Sequence, residues 1–168
     1  METSEPAFDF ERFFHAHYAR TARAIARITG DSARAEDLAV EAFWKLWRTP
    51  RAHGEKAGGW LYRTAVRLGL NELRGSRRRS RYESLGESAA PAASPEQQHA
   101  AAEEREQVRR VLSHIESRDA ELLLLRGGGF SYAEIASALE LNPGSVGTLL
   151  GRARQSFRKE YLKHYGER

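Results

Sequence analysis

FSYAEIASALELNPGSVGTLLGRAR, residues 130–154, is the stretch whose reading decides the fold. Its first half places Ile135, Ala136 and Leu139 on one helical face. Ser131 precedes them with Glu134 three residues later, the spacing of a capping box. The pattern breaks at Glu140-Leu141-Asn142. Asn142 can cap a following helix, and Pro143 suits a first helical position, where no N–H is needed. In the second half Val146, Leu149, Leu150, Ala153 and, beyond it, Phe157 form a continuous apolar stripe. Two helices joined by so short a turn, each apolar on one face, read as a helix-turn-helix whose second helix leads into a DNA major groove. An ordinary helical hairpin inside an all-α core has the same pattern, so the rest of the chain must separate the two.

Strand signals are scarce, with no sustained alternation, and the whole chain reads as all-α: two small helical domains joined by a flexible linker. Apolar residues make up 40% and charged residues 30%, the balance of a soluble globular protein. The absence of cysteine excludes disulfides, thiolate catalysis and cysteine zinc sites, and suits a reducing cytoplasm. No apolar run approaches the ~20 residues that span a bilayer, so no membrane insertion is expected. Residues 1–6 are acidic without an apolar core, unlike a signal peptide. The six histidines are scattered, and neither His-x3-His nor a nucleophile elbow occurs, so neither an enzyme nor a cofactor or metal site is expected.

Taken in order, residues 8–28 read as a first helix, with Phe10, Phe13, Phe14, Tyr18, Thr21, Ile25 and Ile28 in helical period and Gly30 as its C-cap. Arg20, Arg23 and Arg27 fall on a different stripe and read as water-facing. A second helix follows Asp31-Ser32 and ends near Trp47. Its apolar stripe is Leu38, Ala42, Phe43, Leu46 and Trp47. The other surface mixes Asp37 and Glu41 with Val40 and Trp44. That mixture reads either as a docking face, where tryptophan is enriched, or as a solvated acidic face with one partly buried tryptophan. Residues 51–59 read as a polar, glycine-rich loop. A third helix, residues 60–74, runs into an arginine cluster. Between Trp60 and Arg81 the only acid is Glu72, against arginines at 63, 67, 74, 77, 78, 79 and 81. Aromatic rings ahead of a basic helix suit single-stranded nucleic acid, the rings stacking bases and the guanidiniums meeting phosphates. Residues 82–102 are poor in large apolar side chains and read as the linker between domains 8–81 and 103–163. The second domain opens with a helix carrying Val108, Val111, Leu112 and Ile115. A short helix with Leu122, Leu123 and Leu125 follows, then Gly127-Gly128-Gly129 and the helix-turn-helix.

This order of motifs resembles bacterial RNA polymerase sigma factors of the extracytoplasmic-function type, over roughly residues 8–162. AEDLAVEAF (35–43) is similar to their segment for the polymerase β′ clamp helices, WLYRTA (60–65) to the start of their promoter-melting helix, and FSYAEIA (130–136) to the start of their upstream reader. The resemblance implies a factor that binds core RNA polymerase at the β′ clamp helices and the β flap, recognises promoter DNA and starts transcription. It also implies an anti-sigma factor as partner. It assigns polymerase docking to Asp37, Val40, Glu41 and Trp44. Downstream promoter contacts fall to Trp60, Tyr62, Arg63, Arg67, Asn71, Arg74, Arg77 and Arg78, with residues 51–59 as a base pocket. Upstream contacts fall to Ser145, Thr148, Arg152 and Arg154.

The chain departs from the family where Val40 stands for the usual Gln, where Arg67 and Asn71 stand for Asn and Asp, and where Gly147 and Leu149 stand for basic residues. Arg67 only donates, where an Asn amide also accepts, so an altered downstream preference is expected. Gly144, Gly147 and Gly151 weaken the reader helix, each by about 1 kcal/mol relative to alanine. They read either as a backbone that approaches DNA or a partner helix closely or, the favoured reading, as a poorly contacting helix whose affinity comes from Arg152, Arg154 and the basic tail. A conventional helix-turn-helix regulator is the alternative. It would account for residues 103–163 but leave the acidic-aromatic second helix and the basic third helix without a role.

Overall fold

The computed structural model describes residues 7–83 and 96–166, and among these every regular element is a helix. They are α1 (Phe10–Thr29), α2 (Ser32–Trp47), α3 (Ala57–Glu83), α4 (Glu96–His114), α5 (Ser117–Gly127), α6 (Tyr132–Leu139) and α7 (Val146–Tyr165). Short 3₁₀ turns at Pro50–Ala52 and Pro143–Ser145 lead into α3 and α7.

The first unit is α1–α3. Asp9 caps α1 by accepting from the Arg12 N–H, and Asp31 caps α2 by accepting from Arg34. Gly30 ends α1 in the left-handed conformation, φ 72°, which costs glycine nothing. Ile25, Leu38, Phe43, Leu61 and four small alanines fill the centre. Alanines at 35, 39, 42 and 65 let the three helix backbones approach closely. Gly69 does the same at the α1–α3 crossing, where a Cβ would lie 3.0 Å from Ile28 Cδ1. The Phe8, Phe10, Phe13 and Phe14 rings close the open end around Phe43.

Two expectations are corrected here. Trp47 is 53% exposed rather than buried, because α2 ends there and its ring only shields Phe10, edge-on at 4.9 Å. Helix α3 is also longer at both ends than residues 60–74. It starts at Ala57, which is fully buried and anchors the turn, so Gly58 and Gly59 are helical rather than loop. At its far end it continues through the arginine cluster, because Arg74 and Arg77 are held there by α4 and the α4–α5 junction.

The second unit is α4–α7. Helix α4 starts at Glu96, so residues 96–102, read as linker, are helical; the rest of that stretch, 84–95, lies outside the described residues. The Ser131–Glu134 capping box is present in both directions, at 3.1 and 2.7 Å. Asn142 accepts from the Gly144 N–H at the start of the 3₁₀ turn, so α7 proper begins three residues after Pro143. The turn itself is made by Glu140 in the left-handed region, φ 55°. Val146, Leu150 and Ala153 are fully buried beneath α7, with Leu149 and Phe157 half-buried beside them.

The two units share one apolar core. Ile28, Tyr62, Val66, Leu70 and Leu73 of the first pack into a continuous cluster with Val111, Leu122, Leu125, Phe130, Ile135 and Val146 of the second. Helix α3, 27 residues and about 40 Å long, runs through both.

One consequence is measurable. His17 lies against Tyr62, its Nδ1 3.0 Å from the phenol oxygen. Burial, and then the Arg20 charge, hold its pKa below the usual histidine value. As pH falls below about 6.5 the unfolded chain takes up this proton before the folded one does. Stability is therefore lost as pH drops through that window, and the urea midpoint should fall between pH 7 and 5.5. The His17→Gln variant should show a flatter profile; an equal slope in both would remove His17 as the cause.

Candidate nucleic-acid and partner interfaces

The residues assigned to docking lie together on the outer face of α2. Val40 and Trp44 are 53% and 58% exposed, one turn apart, with Asp37 and Glu41 beside them. Large apolar side chains on a helix whose opposite face is a tight alanine seam are exposed by design of the period, not by fraying: Ala39, Ala42, Phe43 and Leu46 face inward over the same turns. The acids are lightly engaged, Asp37 with Arg34 at 4.0 Å and Glu41 with Lys45 at 3.8 Å. An open groove joins this face to α3, lined by Glu41, Trp44, Arg51, Trp60, Arg63 and Arg67.

The basic face of α3 is only partly free. Asn71 and Arg78 are exposed. Tyr62 is buried, 3% exposed, with its ring edge-on to Phe130 at 4.9 Å, so it stacks on no base in this arrangement. Four of the arginines reach the second unit. Arg67 Nε donates to Glu121 Oε1 at 2.7 Å, and Arg74 donates to Ser117 Oγ at 2.7 Å and the Ile115 carbonyl at 3.1 Å. Arg77 donates to Glu106 at 2.6 Å, and Arg63 lies 3.9 Å from Glu140. Several of the residues proposed for nucleic acid are thus engaged by the chain's own carboxylates, a hydroxyl and a carbonyl.

Sequence reasoning missed the second-unit half of this contact. Glu121 is 7% exposed, an acid set among Ala120, Leu122 and Leu125 on the buried side of α5. Its position on that apolar face was the available signal. Arg20 is exposed, as read, and its guanidinium also lies 4.9 Å from the Tyr62 ring centre and 4.6 Å from that of Phe130 and donates to the Gly128 carbonyl.

On α7, Ser145, Thr148, Arg152 and Arg154 are all exposed, on the surface away from Val146 and Leu150. Gly147 is open as well, with a Cβ only in ordinary contact with Tyr132 at 3.5 Å. At the other end of α7, His164 Nε2 and Glu160 Oε1 are 2.8 Å apart with His114 close by. The Glu160 carboxylate is thus already hydrogen-bonded, and Lys163 sits 3.9 Å from the same carboxylate oxygen.

A long basic helix led by aromatics, an exposed acid–tryptophan face beside it and a helix-turn-helix in a separate unit define a bipartite DNA-binding protein that also docks on another protein. The family model for Sigma-70 region 2 matches residues 13–79, and that for Sigma-70, region 4, matches residues 105–157. The ECF RNA polymerase sigma factor SigL of Mycobacterium tuberculosis is 29% identical over 150 residues, covering 86% of this chain and 84% of that protein. A probable RNA polymerase sigma factor, RfaY, of Xanthomonas campestris pv. campestris is 32% identical over 154 residues, covering 86% of this chain but 38% of its own length. Among solved structures, CnrH in complex with the cytosolic domain of CnrY superposes with a TM-score of 0.56 at 22% identity, covering 89% of this chain and 85% of that one. RpoE in complex with the anti-sigma factor NepR from Bartonella quintana gives 0.51 at 20% identity, with 92% and 97% covered. The chain belongs to the extracytoplasmic-function sigma factors of the sigma-70 family. It is a non-catalytic initiation factor that directs core RNA polymerase to promoters.

Proposed function

We propose that this sigma factor divides its task between three surfaces. Asp37, Val40, Glu41 and Trp44 dock on the β′ clamp helices of core polymerase, and the second unit meets the β flap. The downstream element and the melted strand lie along α3, on Trp60, Tyr62, Arg63, Arg67, Asn71, Arg74, Arg77 and Arg78, with the base pocket between residues 51 and 59. The upstream element meets Ser145, Thr148, Arg152 and Arg154. The observation that carries this reading is the single groove joining Glu41 and Trp44 to Trp60, Arg63 and Arg67. A strand leaving the polymerase surface along it passes directly onto aromatic and cationic groups, and stacking there offsets the few kcal/mol spent unstacking each base. Arg74 and Arg77 are held by the second unit, so DNA engages them only after the units separate, whereas Arg63 and Arg67 already line the open groove. The two structural neighbours were solved with bound proteins, one of them an anti-sigma factor. The same class of partner is proposed here, acting in the cytoplasm where the polymerase works.

The test is run-off transcription by core polymerase. Initiation at a cognate promoter should depend on this protein as the polymerase's own subunit. A conventional regulator would leave initiation dependent on another sigma factor, and that result would overturn the reading. Two finer results are expected. Gly147→Lys should strengthen upstream duplex binding several-fold, since it adds one phosphate contact and removes an interior glycine at a position with room. Filter binding over a salt series measures this, and loss of binding by a folded variant would mark the glycine surface as a close-contact face. In a randomised promoter library, Arg67→Asn should change the preferred downstream bases; unchanged preferences would take Arg67 out of base recognition.

A further inference from the structure

A second basic feature lies where the end of α3 crosses α4. Arg74, Arg77, Arg78 and Arg81 from α3 face Arg110 and His114 from α4 across a concavity of about 410 Å³. Its size is that of a small-molecule site. Among the described residues no carboxylate lies within ion-pair distance of Arg74, Arg78 or Arg110, and the two partners of Arg74 are neutral, a hydroxyl and a carbonyl. Arg77 does reach Glu106, but its Nε is buried with no acceptor. Arg74, Arg78 and Arg110, brought together from two helices with no carboxylate beside them among the described residues, repel one another, and the repulsion opposes the packing of α3 on α4. An anion seated between them would reverse that sign. Its chemistry follows from the donors. Forked N–H groups arriving from opposite walls match tetrahedral oxyanions, and three unneutralised cations call for more than one negative charge. The walls belong to the two different units, unlike the groove beside Trp60, which lies wholly on the first.

We propose that this cavity binds a compact, multiply charged phosphate anion, a di- or triphosphate group, and that the bound anion staples the second unit onto α3. Arg74, Arg77 and Arg78 are shared with the proposed downstream DNA contacts, so occupancy and DNA engagement exclude each other. Arg110 belongs to the anion site alone, and its role does not depend on the sigma-factor assignments.

Inorganic tripolyphosphate is the probe, titrated calorimetrically into the full chain at fixed ionic strength near 0.15 M. Saturable one-to-one binding is expected, with Arg110→Gln and Arg78→Gln each weakening it about tenfold or more, the loss of one charge-assisted contact. Arg154→Gln, on the reader helix, should leave it unchanged. The thermal midpoint should rise with tripolyphosphate in the wild type and not in the Arg78→Gln/Arg110→Gln double variant. Run-off transcription without tripolyphosphate should be unaffected by Arg110→Gln, and added tripolyphosphate should inhibit the wild type more than that variant. Binding that vanishes on matching ionic strength, or that Arg154→Gln weakens as much as Arg110→Gln, would overturn the site as nonspecific charge. Tight binding of a single-stranded oligonucleotide that needs Arg110, with none of tripolyphosphate, would overturn it in favour of an extended DNA interface. Loss of transcription without added anion in a folded Arg110→Gln variant would instead count against the division of DNA contacts proposed above, leaving the calorimetric result to decide the anion site.

Discussion

Arg67→Ala is expected to drive the two helical units apart. Glu121 is buried where α5 packs on α3, and its hydrogen-bonded partner is Arg67 from the opposite unit, at 2.7 Å. Truncating that partner leaves a carboxylate out of water with its charge uncompensated. Breaking a fully buried pair costs about 3–5 kcal/mol; Arg67 is half exposed, so about 2 kcal/mol is the reasonable expectation here. The cost falls on the closed arrangement and not on either unit alone, shifting their association by roughly thirtyfold. Small-angle scattering should show a larger radius of gyration, and α3 should become more accessible to single-stranded DNA despite the loss of a cation. Adding Glu121→Gln to Arg67→Ala should restore most of the compact form, since the amide needs no counter-charge. A radius of gyration unchanged by Arg67→Ala would show that the pair does not hold the units together.

The same pair shows where sequence reading succeeds and where it stops. Helices announced themselves through period and caps: Asp31, Ser131 with Glu134, and Gly30 all sit where short-range chemistry requires, while the Asp9 cap was not read and places the start of α1 at Phe10. The helix-turn-helix and the exposed Val40–Trp44 face followed from the same periodicity. The contact between the units was not legible. Tyr62 looked like a stacking residue because its neighbours are basic, and packing by His17 and Arg20 from α1 and by Phe130, 68 positions later, makes it core. Arg20 is exposed as its stripe implied, but the rings its guanidinium rests on come from α3 and from the loop ahead of α6, and no local pattern announces them. Local pattern fixes which face of a helix is apolar, but not which distant face covers it. The arginine cluster was read correctly as basic, while its partners, Glu106, Ser117, Glu121 and Glu140, are scattered along the second unit, and only Glu121, an acid on an apolar face, gave a local sign.

On the outer face of α2, Glu41→Lys combined with Trp44→Ala should reduce affinity for core polymerase by about 2–4 kcal/mol, tens- to several-hundred-fold, the scale of an interface anchored by a tryptophan and a charge. Neither residue contributes to the core: Trp44 is 58% exposed, and Glu41 is exposed with an ion pair to Lys45. The variant should therefore keep the wild-type thermal midpoint within a degree or two, which separates a docking defect from misfolding. Titration of labelled protein with core enzyme is the measurement. Equal affinity in variant and wild type would mean that this face, for all its exposure, meets solvent and nothing else.

Only residues 84–95 connect α3 to α4. A covalent tether of that length holds two surfaces at an effective concentration of about a millimolar. The closed contact can therefore be a weak one, with an intrinsic dissociation constant near that value, and still be populated half the time in every molecule at any dilution. No backbone hydrogen bond of α3 has to break for the second unit to leave, so opening is an intramolecular dissociation and not an unfolding event. Any competitor, whether a DNA strand, a polymerase surface or a regulatory protein, therefore contends with a fixed local concentration set by chain length. Lengthening or shortening the tether should tune the responsiveness of this protein in small, graded steps without altering a single contact.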